Sequence, residues 1–398
     1  MTTPTDRAAP AESARHNAAT VVRTVLAHGP IPRHRIAELT GLSAGTISRL
    51  TGRLAGSGQL VELEPELGPS ATGRPRIPLD LPVEETAVAG VHIGTLRSTL
   101  GLVDLRGGVL AQWAVPHGST DPRELVGELA EALADLTSWQ SHRRLLGVGV
   151  STGGWVDTEA GTVVEHGPLG WHDVPLHAEL TARLAPPVRL DGLVRALALA
   201  EGWYGAGQRA ESLLELFVGN VVGAAFTVGR RIHRGPRSAS GGIAHLRLPG
   251  VEGAPCDCGA SDCLQAALAD GSVLRLAREA RLMGPDEPLE TLVRLARDGH
   301  LGAIRLLRTR ARSLGRAAAV LLDLVNPELL VLSGGPLHTP EYLPDVRAEL
   351  VRHSTLGLAA ADRLIPSGLG EHSLVLASAA VFLNAWFSDP LAHLAAAG

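Results

Sequence analysis

The sequence predicts a small, mainly helical N-terminal unit followed by a much larger α/β domain. Residues 15–61 contain three amphipathic helical segments, in which apolar side chains recur at helical spacing. Residues 64–82 are rich in proline and glycine, which is typical of a linker. From Thr86 onward, β-rich runs such as VAGVHIG and STLGLVDL alternate with helical segments, the order expected of an α/β domain. The apolar C-terminal segment SLVLASAAVFLNAWF is predicted to be a core helix of that domain.

Composition favours a folded protein with a large core. The 398 residues are 45% hydrophobic and 19% charged, and the formal net charge is −5. The N-terminus has no basic start followed by an apolar core, and no segment offers the roughly 20 apolar residues that cross a bilayer. We therefore expect a cytoplasmic protein without membrane contacts, in which any nucleic-acid contact comes from a local basic patch.

The N-terminal block has the pattern of a helix-turn-helix unit. Gly41 supplies the turn between the second and third helices, and Ser43 can cap the third. The stretch GQLVELE that follows can form a β-wing. The apolar positions predicted to face inward are Val21, Val22, Val25, Leu26, Ile36, Leu39, Ile47, Leu50 and Leu54.

Charge on the third helix points to DNA. Residues 13–60 carry six arginines and one acid, Glu38, in a chain that is acidic as a whole. Exposed arginines one turn apart can meet bases or phosphates in the major groove. The residues predicted to face that groove are Ser43, Thr46, Ser48, Arg49 and Arg53. The alternative is a small helical bundle that binds protein, and the acids at 62, 64 and 66 count mildly against a wing on phosphates.

A second basic element lies in the linker, from Gly73 to Arg76. A Gly-Arg-Pro core is extended and narrow, so Arg74 and Arg76 could lie in a minor groove and read its potential. The alternative is a plain flexible linker.

All cysteines of the chain fall in one eight-residue window. Cys256, Cys258 and Cys263 are odd in number and clustered, which makes a poor disulfide framework and a good metal site. His245 precedes them in a loop rich in glycine and proline. One imidazole and three thiolates satisfy tetrahedral zinc, so we predict a structural Zn2+ site in the loop 245–263.

The order of these features resembles the ROK family, which comprises repressors, open reading frames and kinases of sugar metabolism. RHN near Arg15, TGLSAGTISRL and the GRP element look like its regulator branch, and the GW pair at 170–171, AEGWYGAG and the SGG turn at Ser333–Gly335 look like its kinase-like domain. The resemblance implies a winged helix-turn-helix followed by a two-lobed α/β domain of the actin-like ATPase fold. We expect a disordered tail at 1–14, the winged helix-turn-helix at 15–66, the linker at 67–83 and the kinase-like domain at 84–398.

The chain departs from the family's kinases at positions that carry the chemistry. A gap-free count places Leu193 where those kinases have their catalytic base, and the nearest acid, Asp191, is two residues off and would need an insertion to serve. Phosphoryl transfer needs a base and turns that admit phosphates closely, so we predict a non-catalytic kinase-like domain. The other altered positions of the base motif and phosphate turns are Gly192, His92, Leu96 and Val221.

The family's sugar contacts are altered as well. Its sugar-binding glutamate falls on Gly242, and the glutamate after the last cysteine falls on Gln265. A sugar site needs several convergent hydrogen bonds, since each buried hydroxyl left unpaired costs about 1–3 kcal/mol. Either the pocket holds a different, less polar small-molecule effector of unknown identity, or it is a structural remnant.

These observations predict a DNA-binding transcription regulator, a repressor by the resemblance, and not an enzyme. Its partners would be double-stranded DNA and further copies of itself, as a dimer or tetramer, because one winged helix reads only one half-site. Two rivals stay open. One is a sugar kinase of this family with an appended regulatory domain, and the other is an effector-independent interaction protein.

Overall fold

The computed structural model describes residues 8–65 and 77–392, with side chains from residue 12 onward. The elements of its N-terminal unit are α1 (Ala8–His28), β1 (Ile31–Pro32), α2 (Arg33–Thr40), α3 (Ala44–Gly56), β2 (Val61–Glu62) and β3 (Pro78–Asp80). The strands form an antiparallel sheet in the order β1-β3-β2. This is a winged helix-turn-helix, in which β2 and β3 frame the wing.

The core of this unit follows the predicted helical periodicity with one exception. Helix α3 buries Ile47, Leu50 and Leu54, as its apolar spacing predicted. In α2 only Ile36 is buried, and Leu39, which was predicted to face inward, is 49% exposed. Leu39 stands three residues after Ile36 and is therefore rotated about 60° from it around the helix axis, towards solvent.

Two predicted boundaries need correction. Helix α1 begins at Ala8, so residues 8–14 are helical where a disordered tail was expected; alanine, the strongest helix former, recurs there. Strand β3 lies inside the predicted linker 67–83 and completes the wing, with Val61 paired to Asp80. The N-terminal unit therefore extends to β3.

The first lobe of the α/β domain is built on a mixed five-stranded sheet. Its elements are β4 (Thr86–Ile93), β5 (Arg97–Val103), β6 (Val109–Pro116), α4 (Pro122–Ser138), β7 (Arg144–Thr152), β8 (Trp155–Asp157), β9 (Thr162–His166), β10 (Trp171–Val174), α5 (Leu176–Arg183), β11 (Val188–Gly192) and α6 (Leu193–Tyr204). The strand order is β11-β7-β4-β5-β6, with β11, β7 and β4 parallel. A smaller sheet has the order β10-β9-β8.

The second lobe repeats this plan with helices of its own. Its elements are β12 (Leu213–Val218), β13 (Val222–Val228), β14 (Arg231–Ile232), α7 (Leu264–Leu268), α8 (Asp270–Glu279), α9 (Leu289–Arg297), α10 (Leu301–Val325), β15 (Leu329–Gly334), α11 (Leu343–His353), α12 (Leu358–Arg363) and β16 (Leu364–Pro366). The strand order is β14-β13-β12-β15-β16. Two lobes of this kind form the actin-like arrangement. None of the described helices is long and apolar enough to span a membrane.

The last helix, α13 (Ser373–Ser388), returns to the first lobe and packs across β4 and β7. Two glycines allow this close approach. A Cβ on Gly90 would lie 2.2 Å from the Val375 carbonyl oxygen, and a Cβ on Gly149 would lie 2.0 Å from that of Ser378. The prediction of a core helix at the C-terminus is confirmed.

The N-terminal unit shares an apolar core with the first lobe. Buried side chains of α1 and α3 belong to the same cluster as those of α6 and α13, including Val25 and Phe387. The buried Gln59 amide also donates a hydrogen bond to the Pro390 carbonyl oxygen at 2.7 Å. The helices of the N-terminal unit and the C-terminal helix therefore pack into one continuous core.

Candidate functional site

The third helix begins with a side-chain cap that fixes its polar face. The Thr46 amide donates a hydrogen bond to Ser43 Oγ at 3.2 Å, and the two hydroxyl oxygens lie 3.0 Å apart. Ser43 and Ser48 are exposed and Thr46 is half-buried, so these predicted contact residues all reach the surface.

Arg49 and Arg53 supply the free positive charge of this face. Both side chains are exposed, and neither forms an ion pair with any described residue. Arg33, by contrast, pairs with Glu62 of the wing at 2.5 Å. That pairing also neutralises one of the acids that counted against the wing. Helix α3 thus presents two guanidinium groups, one turn apart, without counter-charges.

The second basic element falls in the segment that connects the two wing strands. Arg74 and Arg76 lie outside the described residues, between the end of the described wing at residue 65 and its resumption at residue 77. Their place in a minor groove stays a prediction.

The histidine and the three cysteines converge on one point. The candidate ligand atoms of His245, Cys256, Cys258 and Cys263 all lie within 4.8 Å of one another. Cys258 Sγ is 3.8 Å from Cys263 Sγ, and Cys256 Sγ is 3.7 Å from His245 Nδ1. A tetrahedral ion with Zn–S bonds of about 2.3 Å places sulfur atoms roughly 3.8 Å apart. The four side chains therefore fit a tetrahedral metal ion.

Cys263 ties this cluster to the second lobe. Its sulfur accepts a hydrogen bond from the Ala266 amide at 3.4 Å, where α7 begins, and its backbone forms a β-bridge with Arg247. Burial raises the pKa of the Cys263 thiol to about 11. The thiol therefore keeps its proton at neutral pH unless a cation displaces it.

A buried ion-pair network lies between β11 and α6. Asp191 accepts hydrogen bonds from Arg195 Nε at 2.6 Å and from Arg234 Nη2 at 2.7 Å, one on each carboxylate oxygen. The Thr158 hydroxyl and the Gly192 amide donate to it at 2.8 Å. Burial alone would raise the pKa of Asp191, but Arg195 and Arg234 lower it below its ordinary value. The carboxylate is charged, and both its oxygens are occupied.

Neither the end of β4 nor the turn after it carries an acid. His92 is buried, with Nδ1 3.1 Å from Ser151 Oγ, and burial lowers its pKa to about 4, so it is neutral at pH 7. Leu96 is 82% exposed in the turn before β5. Neither side chain offers an oxygen to a metal–phosphate group.

The turn between β12 and β13 is fastened by a side chain from α7. Gln265 Nε2 donates to the Asn220 carbonyl oxygen at 2.8 Å, and the Val222 amide donates to Gln265 Oε1 at 3.0 Å. The intervening Val221 is half-buried. Both polar atoms of the Gln265 side chain therefore form hydrogen bonds within the protein.

Comparison with known proteins identifies the family of this chain. The profile of the ROK family matches residues 88–385. The chain belongs to the ROK family. It is 34% identical over 400 residues to a transcriptional regulator of Mycobacterium tuberculosis, covering 96% of this chain and 88% of that protein.

Two solved ROK structures are similar in fold. A ROK family transcriptional regulator, described as a homologue of the E. coli MLC protein, has a TM-score of 0.82 at 20% identity, covering 97% of this chain and 100% of that one. A ROK hexokinase from Thermus thermophilus has a TM-score of 0.61 at 28% identity, covering 75% of this chain and 99% of that one. The first match confirms the predicted combination of a winged helix-turn-helix with an actin-like domain.

The predicted departures from ROK kinases have the following surroundings. Leu193, at the base position by the gap-free count, is buried in apolar core, and Gly192 precedes it as the N-cap of α6. Gly242 is exposed in the loop before the cysteines. No side chain at these positions can accept a proton.

Sequence reasoning missed the two arginines that hold Asp191. Arg195 stands four residues after Asp191, a helical spacing that could have suggested the pair. Arg234 is distant in sequence from Asp191, and no local pattern indicates that the two side chains pair.

Proposed function

We propose that this ROK protein is a sequence-specific DNA-binding transcription regulator, with repression as the expected sign. The observation that carries the proposal is the capped helix α3, with Arg49 and Arg53 exposed and unpaired among the described residues. Guanidinium groups on a helix suit both base edges and phosphates. The similarity to the mycobacterial regulator, which extends over nearly the whole chain, supports it.

Two glycines of α3 also favour a groove-binding helix. Gly45 and Gly52 are exposed, and a Cβ on either would meet nothing within 4 Å. Glycine inside a helix costs about 1 kcal/mol relative to alanine, and packing within the chain does not require it here. Glycines beside the two arginines remove side-chain bulk from this face and let the helix backbone approach another molecule closely.

DNA recognition by this unit calls for more than one copy. One winged helix reads one half-site, so we propose a homodimer or a dimer of dimers on a two-fold related operator. In this arrangement Ser43, Thr46, Ser48 and the two arginines of α3 face the major groove. Arg74 and Arg76 of the wing segment enter the adjacent minor groove.

The kinase-like domain is assigned no catalytic activity. Both oxygens of Asp191 are committed to arginines, so it cannot accept a substrate proton without breaking a buried pair. Leu193 has no proton-accepting group, and His92 supplies no acid for magnesium. These observations argue against the rival interpretation as a sugar kinase.

The metal at the cysteine loop is proposed to be structural Zn2+. His245, Cys256, Cys258 and Cys263 would supply all four ligands, which leaves no open position for chemistry. Bound metal would supply coordination bonds that fix the loop against α7. Helix α7, held by the ordered loop, in turn presents Gln265 to the β12–β13 turn.

The region of the family's sugar contacts, around Gly242 and Gln265 and called here the former sugar region, is proposed to be a structural remnant and not a hexose pocket. Its polar groups satisfy one another, since Asp191 is held by arginines and Gln265 by backbone. A hexose would have to replace these bonds at a cost of about 1–3 kcal/mol for each group left unpaired.

Selection from a random duplex pool tests the proposed function whatever the operator sequence is. Purified full-length protein should enrich an inverted repeat, and R49A/R53A should not. Arg35→Ala is the matched control, because that arginine is exposed but pairs with Glu38 on α2. Failure to enrich any motif would support the protein-binding alternative.

A further inference from the structure

A polar cleft lies between the DNA-binding unit and the kinase-like domain. Its volume is about 330 Å3, within the range of small-molecule sites. Helix α1 contributes Arg23 to one wall, and the kinase-like domain contributes Arg106, Arg230, Trp203 and Tyr204. The cleft is therefore separate from the former sugar region and is formed jointly by both parts of the chain.

The charges of this cleft are unbalanced. Its described lining holds three arginines and no carboxylate. Two of the arginines have partners, since Arg106 pairs with Asp80 and Arg230 lies 3.4 Å from Glu211. Arg23 forms no ion pair with a described residue.

Arg23 is the group that most lacks a partner. Its guanidinium carbon lies 4.8 Å from the centre of the Trp203 ring, and its Nε is buried without a hydrogen-bond partner among the described residues. Burial and the nearby charge of Arg230 lower the pKa of Arg23, and the charge of Glu211, which is the partner of Arg230, opposes this only in part. A half-buried cation with an unmet donor is costly unless an anion completes its surroundings.

The walls beside the arginines are aromatic and rigid. Trp203 Nε1 donates to Asn384 Oδ1 at 3.2 Å, and the Trp203 ring centre lies 4.8 Å from that of Phe387. The Tyr204 hydroxyl donates to the Leu105 carbonyl oxygen at 3.3 Å. Both rings are therefore held in place before any ligand arrives.

We propose that this cleft binds a small phosphate monoester, whose phosphate is held by Arg23 and Arg230 and whose organic part lies against Trp203 and Tyr204. Guanidinium groups match the geometry of phosphate oxygens. Two arginines also suit a doubly charged phosphate better than a singly charged carboxylate ligand. A ligand held by both α1 and the kinase-like domain stabilises the docked position of the DNA-binding unit. This regulatory consequence rests on the proposed function, whereas the binding itself does not.

The test is calorimetric titration of the full-length protein with phenyl phosphate, which combines a phosphate dianion with a flat ring. Inorganic phosphate and sodium chloride at equal ionic strength are titrated in parallel. We expect saturable binding of phenyl phosphate, about tenfold tighter than inorganic phosphate, as ~1.4 kcal/mol from ring contact implies, and no saturable response to chloride.

The variants R23Q and R230Q should weaken that binding at least about tenfold. Arg231→Gln is the matched control, since Arg231 neighbours Arg230 but is exposed and absent from the lining, and it should bind like the wild type. If R23Q does not fold, the affinity of R230Q for phenyl phosphate tests the proposal by itself, because Arg230 lies on the β13–β14 turn.

Absence of saturable binding, equal affinity of R230Q and wild type, or equal losses in R230Q and R231Q would each overturn the proposal. The titration contains no DNA. If phenyl phosphate does not bind but operator DNA does, the cleft proposal fails and the proposed function is unaffected. If phenyl phosphate binds but no operator is found, the proposed function fails and the cleft proposal is unaffected.

Discussion

Arg195 Nε lies 2.6 Å from Asp191 Oδ1 in a buried ion pair. The pair lies where β11 passes into α6, two residues before Leu193, which the gap-free count aligns with the catalytic base of the family's kinases. A carboxylate that must take a proton from a substrate hydroxyl has to be free to do so. Here the carboxylate holds two parts of the fold together instead.

Replacing Asp191 by asparagine should destabilise the protein strongly. The amide would leave the buried Arg195 without its counter-charge, which typically costs about 3–5 kcal/mol, and would also remove the partner of the partly exposed Arg234. Denaturant unfolding measures the loss. Glu341→Gln, which breaks the more exposed pair with Arg297, should cost much less because solvent screens that pair. Equal effects of the two variants would contradict the structural role of Asp191.

The difference between wild type and D191N should depend on pH in a defined direction. Because the folded-state pKa of Asp191 is lowered, its stabilisation is present above the unfolded-state value of about 3.9 and is lost as pH falls through the folded-state pKa. The stability gap should therefore be full at pH 7 and narrow in strong acid. A gap that widens on acidification would contradict this account.

The protein should show no sugar kinase activity. With Leu193 at the base position and Asp191 committed, hexose-dependent release of ADP from ATP should not exceed the protein-free background. A coupled assay over a panel of hexoses measures this. Turnover that D191N abolishes without unfolding the protein would identify Asp191 as a working base.

The purified protein should carry about one zinc ion per chain, measurable by elemental analysis. Cys263→Ser should lose the metal and lower the unfolding temperature, because this sulfur is buried and anchors the start of α7. Ser261→Ala, a change at an exposed position of the same loop, should keep the metal and the wild-type unfolding temperature. Full metal content in C263S would show that the four residues do not form the site.

Arg74 and Arg76 should affect DNA preference more than protein stability. If they enter a narrow minor groove, R74A/R76A should lose discrimination for A·T-rich flanks while still binding the core motif. Competition between duplexes that differ only in the flanks measures this. Unchanged flank preference would favour a plain flexible linker.

The predictability of the fold follows from the range of the interactions. The buried face of α3 and the cysteine cluster were predictable because their signals lie within one helix or one loop, as at Ile47 and Cys263. The second wing strand has the composition of a linker, and its pairing with Val61 spans nineteen residues of chain, so no local pattern predicts it. Likewise, the contact of Arg234 with Asp191 joins separate lobes and has no local signature.

The most direct test of the central claim is binding of the purified protein to DNA that flanks its own gene, with excess random DNA, across a salt series. The account predicts tight binding that survives the competitor. Its log affinity should fall linearly with log salt, by about 0.9 per phosphate contact, and more weakly in variants that lose such a contact. No preference over random DNA here or after pool selection, together with a flat salt response, would contradict it.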